Sequence, residues 1–346
     1  MSETHLPEKI RVSFGSAVVL GLTKGRLDAK PTTVYLLTYR RGKCSANCSF
    51  CPQAKTSKGR VDMLSRVIWP PFPTVKVLSA VKPAYEAGAI KRVCIQALNY
   101  PKVFNDLTNL IEALRLRVDV PLSVCCQPLN RDKMEKLRDI GVNRICVPMD
   151  AATKPLFDRV KGSLVGGPYV WEEQRRVLKE AVAVFGRDSV STHLIAGLGE
   201  TARDLVEMIQ WCVDLGVYPG LFSFTPIKGT SLESCPQPPL RYYRKVQTAH
   251  FLITRWKTRF ENMKFDGHGC LVDFGVPKAE LKSTIRSGFP FVTSGCPGCN
   301  RPYYNERPGG PLYNYPVLPS PEEITEIEQQ MGITWFSFYL REGLAS

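Results

Sequence analysis

Short β-branched and aromatic runs alternate with longer amphipathic stretches along most of the chain, and this alternation narrows the fold most. Val34–Tyr39, Arg92–Ala97, Leu122–Cys126 and Arg144–Met149 read as strands, followed by Val190–Ile195, Leu221–Thr225, Met263–Asp266 and Phe289–Thr293. Helical patterns fill the gaps, among them Asp106–Arg117 and Arg131–Ile140, the latter opened by Asn130 as N-cap and closed at Gly141. Strands joined by helices must run parallel, so the expected class is α/β. Eight such units predict a TIM-type (βα)8 barrel, complete or nearly so, and 346 residues accommodate it with extensions.

Residues 1–30 form an N-terminal extension in this reading, with a helix over Ala17–Gly25, and residues 31–300 form the barrel. Residues 301–346 form an irregular wrap, because Pro302, Pro308, Pro311, Pro316, Pro319 and Pro321 interrupt any regular element. A helix closes it near Pro321–Gln330, with Ser320 as N-cap and acids in its first turn. No stretch is apolar enough to cross a membrane, and the first residues lack the basic and apolar parts of a signal peptide. Twelve cysteines without such a signal point to metal sites in a reducing cytoplasm rather than to disulfides. The net charge of +14 is spread over many segments, with no aromatic-basic array of the kind that tracks nucleic acid. It suits an acidic protein partner.

The chemistry concentrates in the run Cys44-Ser-Ala-Asn-Cys48-Ser-Phe-Cys51. Three thiolates at this C-x3-C-x2-C spacing can hold three irons of a [4Fe–4S] cube and leave the fourth open to a substrate. Zinc more often takes four closed ligands built from paired cysteines. The loop follows the first expected strand, which places it on the catalytic face of a barrel.

This run resembles that of the radical S-adenosylmethionine (SAM) enzymes. The resemblance implies that Cys44, Cys48 and Cys51 bind a cluster whose open iron chelates SAM, and that one electron cleaves SAM to a 5'-deoxyadenosyl radical. It also implies SAM contacts: Phe50 beside the adenine, Ala97 presenting backbone to the methionine, Asp150 on the ribose, and Ile195 and Gly197 near the adenine. A helix N-cap is the structural alternative for Asp150. His193 is a candidate for proton transfer, or a hydrogen-bonded structural residue. Cys146, Cys212 and Cys235 read as small buried hydrophobes.

Within that superfamily the chain is most similar to biotin synthases. Cys48-Ser-Phe-Cys51-Pro-Gln53, Gly197-Leu-Gly-Glu-Thr201 and Pro319-Ser-Pro-Glu-Glu323 match motifs of those enzymes. Their second, sacrificial cluster takes cysteines from strands two, three and five and an arginine from strand seven. Cys94 and Cys125 fit the first two positions, but Ser191 stands at the third and no arginine stands at the fourth. Cys270 and the Cys296-Pro-Gly-Cys299 pair are expected to gather at the barrel mouth instead. They would hold a second, auxiliary [4Fe–4S] cluster, with structural zinc as the alternative and His268, Ser294 or Cys235 as candidates for a fourth ligand.

The run Gly295–Gly310 and the segment Lys30–Tyr39 resemble archaeal biotin-synthase-like proteins that act in pairs as a split lipoyl synthase. That likeness implies sulfur insertion into an octanoyl chain on an acidic lipoyl carrier. It also implies a paralogous radical SAM subunit and an electron donor such as ferredoxin. Biotin synthesis, another radical SAM methyl transfer or maturation reaction, and a non-enzymatic Fe–S scaffold are the competing readings.

Overall fold

The computed structural model describes residues 6–306 and 309–333. Pro308 and the end of the expected wrap, residues 334–346, lie outside them. In chain order the strands are β1 (Lys9–Val12), β2 (Thr33–Thr38), β3 (Met63–Leu64), β4 (Val67–Ile68), β5 (Pro71–Pro73) and β6 (Arg92–Gln96). Then come β7 (Leu122–Cys125), β8 (Arg144–Cys146), β9 (Val190–Ala196), β10 (Val217–Ser223), β11 (Lys264–Phe265) and β12 (Leu271–Asp273). The helices are α1 (Phe14–Val19), α2 (Thr74–Glu86), α3 (Val103–Arg115), α4 (Arg131–Asp139) and α5 (Lys154–Val160). They continue with α6 (Trp171–Phe185), α7 (Ala202–Leu215), α8 (Leu240–Thr254), α9 (Lys278–Arg286) and α10 (Pro321–Met331).

One eight-stranded sheet in the order β10-β9-β8-β7-β6-β2-β1-β5 carries the fold. Its six strands from β10 to β2 run parallel, whereas β1 pairs antiparallel with both β2 and β5. The α/β barrel-like class expected from the alternation is therefore what the chain adopts. Every residue of β2 is buried, as a strand covered on both faces requires. Leu107, Leu110, Ile111 and Leu114 of α3 recur at helical spacing and bury one stripe against the sheet.

Two expected strands are not members of that sheet. Lys264–Phe265 turns back on Leu271–Asp273 as a separate antiparallel hairpin. The turn is local chemistry: the Asp266 carboxylate accepts the N–H groups of His268 and Cys270, both at 2.9 Å, and Gly269 takes φ +75°. Phe289–Phe291 forms a single 3-10 turn after Gly288, because Pro290 has no N–H for a ladder. The eight-strand count is met by β1 and β5 at the opposite edge, so part of the expected N-terminal extension belongs to the sheet. The first helix also ends earlier than Ala17–Gly25 suggests. Gly21 adopts φ +67°, and Gly25 lies where any side chain would strike the Phe14 ring.

The remaining expectations match closely. Asn130 accepts the Lys133 N–H to cap α4, and Ser320 with Glu323 forms a capping box at α10. No described helix is long and apolar enough to cross a membrane.

Candidate active site

The C-terminal ends of all six parallel strands converge on one cavity of about 200 Å³. Cys44, Cys48 and Cys51 stand on its wall after β2, Ala97 after β6, Gln127 after β7, Asp150 after β8, Ile195 on β9 and Phe222 on β10. Phe50 joins them from the cysteine loop.

That loop is stapled by its own polar groups. The Cys44 N–H donates to Gln53 O at 2.9 Å, and the Ser49 N–H reaches Val160 O at 2.8 Å. The buried Gln53 amide donates to Val61 O and Met63 O at 2.7 and 2.6 Å. Asn47 donates to Val165 O at 2.6 Å and accepts the Thr56 N–H and hydroxyl. The Asn99 N–H points at the Cys44 sulfur at 3.1 Å, the kind of contact that tunes a cluster-bound thiolate.

Burial pushes the Cys48 thiol well above its ordinary value, and it raises Cys51 to about 12. The neighbouring thiols Cys51 and Cys44 raise Cys48 further, and Cys44 raises Cys51. Cys48 and Cys51 thus disfavour their own thiolates, which is the state that an iron cluster stabilises. The residues fit a cluster of the expected kind.

Asp150 is neither exposed nor a helix N-cap. It adopts φ +65°, and its Oδ2 accepts from Lys161 Nζ at 2.7 Å. The Lys161 side chain is completely buried, lies over the Tyr169 ring at 5.0 Å and also donates to Pro148 O at 2.5 Å. The sequence gives no sign of Lys161 as part of the site, because its position becomes clear only when α5 folds back under the cavity.

Gly197 corrects an expectation. It is absent from the cavity wall: its N–H donates to Glu200 Oε1 at 2.6 Å, and a Cβ there would meet the Pro238 ring at 2.7 Å. Glu200 also accepts the Leu198 N–H at 3.0 Å and the Tyr242 hydroxyl at 2.6 Å. Burial raises the Glu200 carboxyl above its ordinary value. The Gly-Leu-Gly-Glu-Thr run is thus a self-closing turn at the head of α7 rather than an open ligand surface.

The expected gathering of Cys270 with Cys296 and Cys299 also fails. Cys270 is exposed on the β11–β12 hairpin, whose Gly269 packs on Thr201. The tail pair instead enters the barrel beside β2, β6 and β7. The Tyr35 hydroxyl lies 3.0 Å from the Cys299 sulfur, and the Ser123 hydroxyl lies 3.4 Å from that of Cys296. Tyr35 and Ser123 are the two register partners of Cys94, so Cys94 stands between the tail thiols. Burial, then Cys296 and Cys299, push the Cys94 thiol well above its ordinary value. The other fourth-ligand candidates lie elsewhere: Cys235 is exposed, His268 sits on the outer hairpin, and Ser294 Oγ accepts the Leu221 N–H at 2.8 Å.

Tyr304 bridges the two thiol groups. It lines the cavity, and its buried hydroxyl feels Cys51, Cys125 and Cys94 together. Arg301 lies 3.7 Å over the Phe222 ring on the same wall, with its Nε buried and unpaired. Both come from the tail, in a run where the sequence singles out only the cysteines.

Comparison with known proteins identifies the domain. The radical SAM superfamily model matches residues 41–212, which hold the cysteine loop and strands β3 to β9. The chain carries a radical SAM domain. Among curated proteins it is 26% identical over 234 residues to a biotin synthase from Allorhizobium ampelinum, covering 65% of this chain and 66% of that protein. A biotin synthase from Aquifex aeolicus is 25% identical over 206 residues, covering 58% of each. The chain thus spans a little under two thirds of the length of these relatives. A crystal structure of HydG, a maturase of the [FeFe]-hydrogenase, superposes with a TM-score of 0.50 at 15% identity, covering 64% of this chain and 50% of that one. The radical SAM domain implies a [4Fe–4S] cluster and SAM.

Proposed function

We propose that this chain inserts sulfur into the octanoyl chain of a protein-bound octanoyl-lysine, as one subunit of a two-protein lipoyl synthase. One observation carries the reading: the Cys44 loop lines the cavity, and a second thiol group, the tail pair with Cys94, lies behind the wall with Tyr304 between the two. A radical source and a sulfur source beside one cavity suit the conversion of an alkyl C–H bond to C–S, which acid–base groups cannot achieve. When bound, the loop cluster with SAM supplies a hydrogen-abstracting radical, and an auxiliary cluster on Cys94, Cys296 and Cys299 supplies sulfide to the resulting alkyl radical. Cys270 has no part in that auxiliary site.

The chain's own residues do the rest. Asn99 and the loop's backbone bonds hold Cys44 in place, and the Lys161–Asp150 pair sets the wall opposite. Leu37, Leu64, Leu98, Phe222 and Phe224 supply an apolar lining for an alkyl chain and keep water from a radical. The net charge of +14 favours docking of an acidic carrier over a small free acid. A paralogous subunit and a ferredoxin-like donor complete the scheme.

A second reading, biotin synthesis, is favoured by the identity to biotin synthases. Ser191, whose hydroxyl donates to Ile145 O at 3.5 Å, weighs against it, because it stands where those enzymes use a cysteine. Anaerobic turnover on octanoyl-lysyl peptide and on dethiobiotin, with and without a candidate paralogue, separates the two. Thiolated peptide by mass spectrometry is the expected result; biotin formation instead overturns it.

A further inference from the structure

Three interior groups take no part in either thiol site described above, and they converge more tightly than those thiols do. The sulfurs of Cys125 and Cys146 and a ring nitrogen of His193 all lie within 4.8 Å of one another. They come from three adjacent parallel strands at one level of the barrel. Cys125 and Cys146 are register partners across β7 and β8, and Cys146 pairs with Ser191 across β8 and β9. His193 is two residues beyond Ser191, so it faces the same side of β9.

We propose that Cys125, Cys146 and His193 form a further metal site that binds one borderline-soft divalent cation, zinc above all. The site stands apart from the lipoyl reading and survives its failure. Zinc bonds of about 2.3 Å to sulfur and 2.0–2.1 Å to nitrogen set tetrahedral ligand separations below about 4 Å. The three groups need only small rotamer adjustments to reach that spacing, which is too tight for a four-iron cube.

Charge argues the same way. One Zn²⁺ with two thiolates and a neutral imidazole sums to zero, the composition that a water-poor interior tolerates best. The two thiol protons are released as the metal binds. His193 is fixed edge-on against Phe222 with centroids 4.7 Å apart, which orients the ring before metal arrives. Cys125 and His193 line the cavity while Cys146 lies buried behind them. The fourth position therefore opens into the cavity, as in zinc sites that exchange a ligand. It suits water or a neutral thiol or thioether sulfur.

The test uses the full chain with its clusters reconstituted, washed with chelator and given one equivalent of zinc. Zinc-edge X-ray absorption should report two sulfurs at about 2.3 Å and one nitrogen at about 2.0–2.1 Å, with a lighter fourth ligand. Cys146→Ser should lose one sulfur from that shell and weaken zinc binding about ten-fold or more, on the scale of ligand-shell losses. Cys296→Ser should leave the shell unchanged. His193→Gln, which leaves the thiols in place, should remove the nitrogen and serves as the check if Cys146→Ser misfolds. A four-sulfur shell, an unchanged shell in Cys146→Ser and His193→Gln, or no zinc retained against chelator would each overturn the proposal.

Discussion

Replacing Lys161 with methionine isolates the one completely buried cation of the site. Methionine keeps the apolar stem and removes Nζ, so packing is largely retained. Pro148 O stays satisfied, because Gln174 Nε2 also donates to it at 2.6 Å. The Asp150 carboxylate, with its side chain 10% exposed, is left without its cation. Breaking a buried pair in this way costs roughly 3–5 kcal/mol. That is a large share of the 5–15 kcal/mol that typically separates folded from unfolded chains. It raises the unfolded fraction by about two to nearly four powers of ten.

Urea denaturation of cluster-free, reduced protein, followed by circular dichroism, reads the change directly. Asp150→Asn combined with Lys161→Met should recover part of the loss, since a neutral amide needs no counter-charge. A single-variant loss below about 1 kcal/mol would falsify the view that this pair is desolvated.

Alanine at Cys44, Cys48 and Cys51 together should abolish 5'-deoxyadenosine formation while leaving iron at the tail site, which iron analysis and product chromatography check. Cys296→Ala with Cys299→Ala should remove about four irons per chain and stop sulfur insertion yet spare SAM cleavage, whereas Cys270→Ala should change neither. Buried His250, whose Nε2–H donates to Pro219 O at 2.6 Å, is held neutral down to about pH 4, chiefly by burial. Its folded value lies below the unfolded value of about 6.5, so stability is unaffected above that pH and falls as pH drops toward 4. The loss is on the order of 3 kcal/mol, and His250→Gln should flatten that stretch of the stability–pH curve.

Much of this was legible in residue order. The cysteine loop sits on the cavity wall because strand and loop are contiguous, and Phe50, Ala97, Asp150 and Ile195 end or follow strands in the same way. What the sequence concealed depended on long-range packing. The last two expected strands had the right composition, but Asp266 closed one as a hairpin and Pro290 denied the other its ladder. Cys270 and the tail pair looked alike on paper, yet only the pair threads back to Tyr35 and Ser123. Lys161, Arg301 and Tyr304 carry no motif. Cys146, read as a plain hydrophobe, faces His193 only because β7, β8 and β9 align in register.

The central claim is that hydrogen leaves an octanoyl chain through the SAM site. Reduced, reconstituted protein with SAM, the candidate paralogue and octanoyl-lysyl peptide carrying a fully deuterated chain provides the most direct test. Mass spectrometry of the 5'-deoxyadenosine should show one deuterium gained as thiolated peptide appears. Deuterium-free 5'-deoxyadenosine with no sulfur in the peptide, alongside deuterium transfer from labelled dethiobiotin, would contradict the account.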